Sequence, residues 1–254
     1  MKIRDAVAVG VAALTAFNAQ AALLDRGGGL LYDNVLDLTW LQDANYAKTS
    51  GYDADGRMNW ADATTWAANL SFHDSVRNTD LTGWRLAANT PVGADWNYNF
   101  SPTGTTDRGY NIASPRSELS YMFYVNLELK GYRSTAGDYQ SDFGVFGNGT
   151  YNGVDTSSMG QRNVGPVQNL QAYPYWSGTA SAVYPEDPGF GAVAWNFYPG
   201  NGVQGVNYPS DMYFAWAVRP GDVAAPIPEP ETYAMILAGL GLLGFMSRRK
   251  KQSS

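Results

Sequence analysis

The 254-residue chain contains no cysteine and a single histidine, His73. Without thiolates and with one imidazole, it lacks the ligands on which zinc, haem and iron–sulfur sites depend. Cys–His and Ser–His–Asp catalysis have few parts to build from either. Charge is sparse, at 16% of residues, and basic residues are thinnest in the middle. From Ala22 to Ala225 there are 11 basic side chains against 20 acidic ones, a net charge of −9. Such a surface repels phosphate backbones, so nucleic acid is not an expected partner. What the chain has in quantity is glycine, 28 residues, and aromatic rings, with 8 Trp, 17 Tyr and 10 Phe. This is the composition of a loop-rich globular body, and roughly 200 central residues suffice for one domain with its own core.

The remaining basic residues sit at the two ends. Lys2 and Arg4 precede an apolar run from Ala6 to Phe17, which closes on Ala19-Gln20-Ala21. This order of basic, apolar and small residues predicts a secretory signal over 1–21, cut by signal peptidase after Ala21 so that the mature chain begins at Ala22. An exported domain of this size relies on its core and needs no disulfide staples.

At the other end Pro228-Glu229-Pro230 leads into an apolar stretch, Ala234 to Met246, followed by Arg248, Arg249, Lys250 and Lys251. As a helix that stretch would span about 20 Å, short of the roughly 30 Å hydrocarbon core. The basic residues behind it favour a cytoplasmic tail with the body outside. The tripeptide, apolar segment and basic tail over 226–254 resemble the PEP-CTERM sorting signal of Gram-negative bacteria. That resemblance implies recognition by an exosortase, cleavage near the tripeptide and a transient inner-membrane anchor through 234–246. The body would then reach the periplasm, outer surface or extracellular space, in association with exopolysaccharide and biofilm.

Between the ends there is no internal repeat, so residues 22–225 are expected to form one domain. Alternation in Leu30-Leu31-Tyr32 and Leu36–Trp40 predicts two short strands. Asn59 can cap a helix over roughly 60–70, whose Trp60, Ala63, Trp66, Ala67 and Leu70 recur at helical spacing. A second helix is predicted from Ser114-Pro115, presenting Leu119, Met122, Phe123 and Leu127 on one face. Between them Gly83-Trp84-Arg85-Leu86 has the pattern of a short buried strand. The Gly-, Asn-, Ser- and Asp-rich stretch from Lys130 to Asn169 favours loops. Four aromatic strand candidates follow, at Tyr173–Thr179, Ala192–Tyr198, Gly202–Tyr208 and Met212–Arg219. The expected class is α+β, two helices with a mostly antiparallel sheet.

Six short motifs carry a further resemblance: Asp37-Leu-Thr-Trp40-Leu, Asn59-Trp60-x-x-Ala63, Gly83-Trp84-Arg85-Leu86, Ser117-Glu118-Leu119, Tyr175-Trp176-Ser177-Gly178-Thr179 and Ala215–Gly221. In this order they are similar to the Lcl C-terminal domain family, named for part of a bacterial collagen-like adhesin. Ala87-Ala88 departs from the family's Pro-Thr after Trp-Arg-Leu. The element order also resembles the C-type-lectin-like fold, which implies pairing of the first and last strands, Leu30–Tyr32 beside Phe214–Arg219.

Candidate chemistry is limited. The calcium-dependent sugar site of C-type lectins has only partial counterparts in Pro185-Glu186-Asp187-Pro188 and Trp195-Asn196-Phe197. Asp53-Ala-Asp55-Gly56 begins like a calcium loop, but Arg57 takes the next ligand position and no Glu closes it. Asp53 and Asp55, extended by Asp43 or Asp107, are thus the candidate Ca²⁺ ligands, with a solvated Asp-Gly turn as the alternative. No cofactor is otherwise expected. A glycosidase needs two carboxylates across a cleft, and nothing in the sequence marks such a pair. His73 is expected at the surface, at the end of the first helix.

The aromatics are more informative. Trp40, Trp60, Trp66, Trp84, Trp176 and Trp216 are assigned to the core. Trp96, Tyr98, Tyr110, Tyr132, Tyr139, Tyr151, Tyr184 and Tyr208 sit beside Gly, Asn and Asp in predicted loops, where rings flanked by amides suit sugar faces and hydroxyls. The sequence therefore predicts a non-enzymatic exported protein that binds exopolysaccharide or other glycans through a lectin-like domain. Two alternatives stand beside it, an adhesin working through protein–protein contacts and a carboxylate-based enzyme acting on glycans.

Overall fold

In the computed structural model, residues 23–145, 150–151, 161–181 and 191–223 are described. The signal and sorting segments lie outside them. The chain opens with a hairpin of β1 (Leu23–Gly27) and β2 (Leu30–Asp33), then β3 (Leu38–Leu41). Between β2 and β3 the Asp33 carboxylate accepts hydrogen bonds from the Val35 and Leu36 amides, which fixes the turn. A helical turn α1 (Tyr46–Thr49) and β4 (Arg57–Met58) precede helix α2 (Trp60–Asn69). The hairpin β5 (Phe72–Asp74) and β6 (Thr79–Leu81) and the short β7 (Arg85–Leu86) follow. Next come β8 (Phe100–Ser101), β9 (Arg108–Gly109) and α3 (Glu118–Tyr121), which runs on as a π-helical turn over Met122–Asn126. A meander of β10 (Thr150–Tyr151), β11 (Gln161–Val164) and β12 (Val167–Gln171) leads to β13 (Tyr175–Ser181), β14 (Val193–Tyr198) and β15 (Val203–Asn207). The final strands are β16 (Tyr213–Phe214) and β17 (Ala217–Pro220).

Two larger sheets organise these strands, one in the order β1-β2-β3-β17-β7 and the other β4-β16-β13-β14-β15-β9-β8. Among the described residues the structure is mostly β-sheet, with 36% strand against 14% helix, which corrects the expected two-helix α+β, C-type-lectin-like fold. Helix α2 forms as expected: the Asn59 side chain caps it by accepting from the Asp62 amide, and Ala63, Trp66 and Ala67 are buried. The second helix does not. Only α3 has α geometry, and the Met-Phe-Tyr-Val-Asn run slips into π geometry, where aromatic and β-branched side chains disfavour regular α-helix. Leu119, Met122 and Phe123 are still buried. Strand content was also hidden in the Lys130–Asn169 stretch: β11 and β12 pair across a Gly165-Pro166 turn, burying Val164, Val167 and Leu170. The last strand, moreover, pairs with β3 and β7 rather than with Leu30–Tyr32.

The core is bolted by tryptophans. Indole N–H groups donate to backbone carbonyls on distant elements, Trp60 to Ser177 at 2.8 Å, Trp176 to Met58 at 2.9 Å and Trp216 to Leu41 at 2.7 Å. Each bond satisfies a buried or part-buried donor while tying α2, β4 or β3 to β13 or to the β16–β17 segment, so one residue contributes both apolar area and register. Trp84 donates locally to Leu81 at 2.8 Å. The six tryptophans assigned to the core are all buried or packed against it. Two further motifs meet through charge: the Arg85 guanidinium holds both Glu118 carboxylate oxygens, at 2.7 and 2.8 Å, and Glu118 also accepts the Ala88 amide at 2.7 Å.

Candidate functional site

Away from this bolted half, the edge of the seven-stranded sheet carries rings that pack on one another. The segment that leads into β8 carries Trp96, Tyr98 and Phe100 at every second position. Trp96 and Tyr98 stack on Trp195 of β14, with centroids 4.9 and 5.6 Å away. The Tyr98 hydroxyl and Ser181 Oγ are 2.9 Å apart. Trp195 is fully buried, and its indole nitrogen has no partner among the described residues. It forms the floor of this first group.

Asp107 holds the loop that carries Trp96. Its buried carboxylate accepts the Val92 amide at 2.6 Å and the Asn97 amide at 2.7 Å, and its carbonyl accepts from the Gln204 side chain at 2.8 Å. These bonds stand in for a strand partner and set the ring's position against Trp195.

The second group begins at Phe100. Its ring meets Tyr110 edge-on at 5.7 Å; Tyr110 lies 6.4 Å from Tyr132, and Tyr132 packs against Tyr139 and Phe143 at 5.1 and 5.0 Å. Two loops converge because the Asn111 side chain donates to the carbonyls of Pro102 and Arg133, at 2.7 and 2.9 Å. Parallel pairing of β8 and β9 brings the backbones so close at Gly109 that a Cβ there would lie 1.9 Å from the Ser101 carbonyl oxygen, and its φ is +125°. Only glycine fits. Phe100 and Tyr139 are 56% and 57% exposed, so the group presents ring surface to solvent. Arg133 lies over the Tyr132 ring at 5.4 Å and Arg108 over Phe100 at 5.9 Å. Burial pushes the Tyr110 phenol above its ordinary value, with Arg133 opposing. It is therefore a neutral donor and acceptor near neutral pH.

The sequence-predicted ring set thus divides. Trp96 and Tyr98 form one group, and Tyr110, Tyr132 and Tyr139 the other. Tyr208 lies just past β15 and is 45% exposed. Tyr151 lies on β10, and Tyr184 lies outside the described residues, as does Pro185–Pro188. Phe100 and Phe143 were not singled out from sequence, and Trp195 was noted only within the Trp195-Asn196-Phe197 comparison with a lectin strand, not among the ring candidates. Alternation within β14 signals that Trp195 is buried, without distinguishing a core ring from the floor of a surface group.

Asp53 and Asp55 do not form a ready cation site. Asp53 accepts the amides of Asp55 and Gly56, at 3.0 and 2.7 Å, and Asp55 is paired with the Arg57 guanidinium. Burial alone would raise the Asp55 carboxyl, but the hydrogen bonds from Arg57 outweigh it and hold the group below its ordinary value. Among the described residues no group of three or more His, Asp or Glu is placed to hold a metal. The Asn196 amide, on the strand compared with a lectin site, donates to Asn207 at 2.9 Å. His73 sits on β5 rather than at a helix end, 2.8 Å from Asp80 across the hairpin.

Residues 226–250 match the PEP-CTERM protein-sorting motif. The motif makes this an exported protein processed by exosortase and held transiently at the membrane. No curated protein and no solved structure matches the chain, so the likeness of the body to the Lcl C-terminal domain gains no support. Among the described residues no helix is long and apolar enough to cross a membrane, and the segment 234–246 lies outside them. Ala19, Ala21, Pro228, Glu229 and Pro230, the processing residues, lie outside them as well.

Proposed function

We propose that the exported body is a non-enzymatic binding module that attaches to extracellular polysaccharide through the ring-bearing edge of its seven-stranded sheet. The observation that carries this reading is the convergence of Phe100, Tyr110, Tyr132, Tyr139 and Phe143 from three chain segments into one partly exposed group. Sugar rings present C–H faces that pack on such planes, while phenol hydroxyls and loop amides take the sugar hydroxyls. Exosortase processing accords with this, since it delivers the body to the side of the membrane where polysaccharide accumulates.

The test is retention of the full chain on the producer's own exopolysaccharide, compared with a Phe100→Ala/Tyr139→Ala variant. Retention that the double substitution removes supports the reading. If neither protein is retained but the unmodified chain self-associates or captures a surface protein, the same rings serve protein contacts, the adhesin alternative.

A further inference from the structure

A concave feature lies on the other sheet. A cavity of about 150 Å³ opens between the β2–β3 hairpin, α1, β5 and β12. That is about the volume of an apolar cavity that accepts a benzene-sized guest. Leu41, Phe72 and Tyr46 give it apolar walls, the last two rings meeting edge-on at 5.3 Å. Asp43 supplies the only ionisable carboxylate among its lining residues, and the lining contains no Lys or Arg.

The charge of that wall is one-sided. One Asp43 oxygen accepts the Asn45 amide at 2.8 Å, and no ion pair forms to the carboxylate among the described residues. Gln42 commits its Nε2 to the Pro166 carbonyl at 2.9 Å, which leaves its Oε1 as an acceptor. The Thr49 hydroxyl donates to the Asn45 carbonyl. The wall therefore offers a carboxylate, a net negative charge and aromatic surface, with the Gln42 amide and the Thr49 hydroxyl committed within the protein and no cationic donor in the lining. A partly buried carboxylate with no cation paired to it attracts one that fits beside it. The field of Asp43 already reaches the neighbouring ring: burial first, and then the Asp43 charge, raise the Tyr46 phenol.

We infer that this cavity binds a small organic ammonium group, such as the end of an alkylammonium chain, with Asp43 as its counter-ion and Tyr46 and Phe72 as its aromatic walls. An ammonium brings its charge and three donors to the Asp43 carboxylate and the Gln42 oxygen, and its alkyl stem packs on the apolar part. A metal ion is the poorer fit, because hard cations require several oxygen ligands and only one carboxylate lines the space. The proposal is independent of the polysaccharide reading, since its residues belong to other elements.

The test is calorimetric titration of the full chain, in non-ionic detergent, with n-butylammonium chloride and with 1-butanol as its neutral isostere. Butylammonium should bind saturably, weakening several-fold as salt rises from 0.05 to 0.5 M, a change on the order of that expected for a partly exposed ion pair. Butanol should bind at least about tenfold more weakly. Asp43→Asn should weaken butylammonium about tenfold and leave butanol unchanged; Asn keeps an oxygen for the Asn45 amide, so the turn survives. Equal binding of butanol and butylammonium in the unmodified chain, or no saturable butylammonium binding, would overturn the proposal without recourse to any variant.

Discussion

The bolted half of the molecule and its ring-bearing edge are built from the same kinds of residue, yet the rings do different work. In the bolted half the indoles of Trp60, Trp176 and Trp216 end on backbone carbonyls of distant elements. At the edge the rings end on other rings, and Phe100 and Tyr139 remain more than half exposed. Aromatic content alone therefore does not separate core from binding surface. The partner of the ring's polar atom and the exposure of its face do.

The largest effect should come from removing a bolt. Trp176→Ala deletes a fully buried ring and orphans the Met58 carbonyl, so chemical denaturation should show a loss of about 3–5 kcal/mol. Asp107→Ala joins the two regions: it frees the amides of Val92 and Asn97 and loosens the loop behind Trp96. A loss of about 2–3 kcal/mol is expected from denaturation, together with weaker polysaccharide retention. Tyr139→Ala should do the opposite of Trp176→Ala, leaving stability within about 0.5 kcal/mol while weakening binding by a factor of roughly three to ten. If Tyr139→Ala destabilises as strongly as Trp176→Ala, the contrast fails.

The smallest effect concerns pH. Burial pushes the Asp74 carboxyl up, but hydrogen bonds from the Arg77 side chain and from the Arg77 and Val76 amides outweigh it and hold it below the ordinary 3.8. A carboxyl depressed in the folded state adds stability that is full above the unfolded value and lost as pH falls through the folded one. Asp74→Asn should therefore flatten the decline in unfolding free energy below about pH 4. Denaturation series at pH 3 and pH 6 check this.

What could be read from sequence was local. The Asn59 cap and the spacing of Ala63, Trp66 and Ala67 define α2 without help from the rest of the chain. The strands β2, β3, β13, β14 and β15 also fall where alternation and aromatic content place them. The π-helical turn was not legible, because helical periodicity in Leu119, Met122 and Phe123 persists when the backbone slips. Nor was the pairing of Arg85 with Glu118, or of Trp60 with Ser177, since those partners lie far apart in the chain and nothing local records their approach. The candidate site was half legible: Gly- and Asn-rich surroundings flagged Tyr110, Tyr132 and Tyr139, but only the fold shows that Asn111 draws their loops together. Trp195 was noted only as part of a lectin-like strand motif and not as a ring under Trp96 and Tyr98, because its alternation is that of any core strand.

The most direct measurement is a paired titration and denaturation of the unmodified chain and the Phe100→Ala/Tyr139→Ala variant, with the producer's exopolysaccharide as ligand. The account predicts saturable binding that the two substitutions weaken by roughly tenfold or more, with an unfolding free energy changed by less than about 1 kcal/mol. Equal binding by the two proteins, or no binding by the unmodified one, would contradict it.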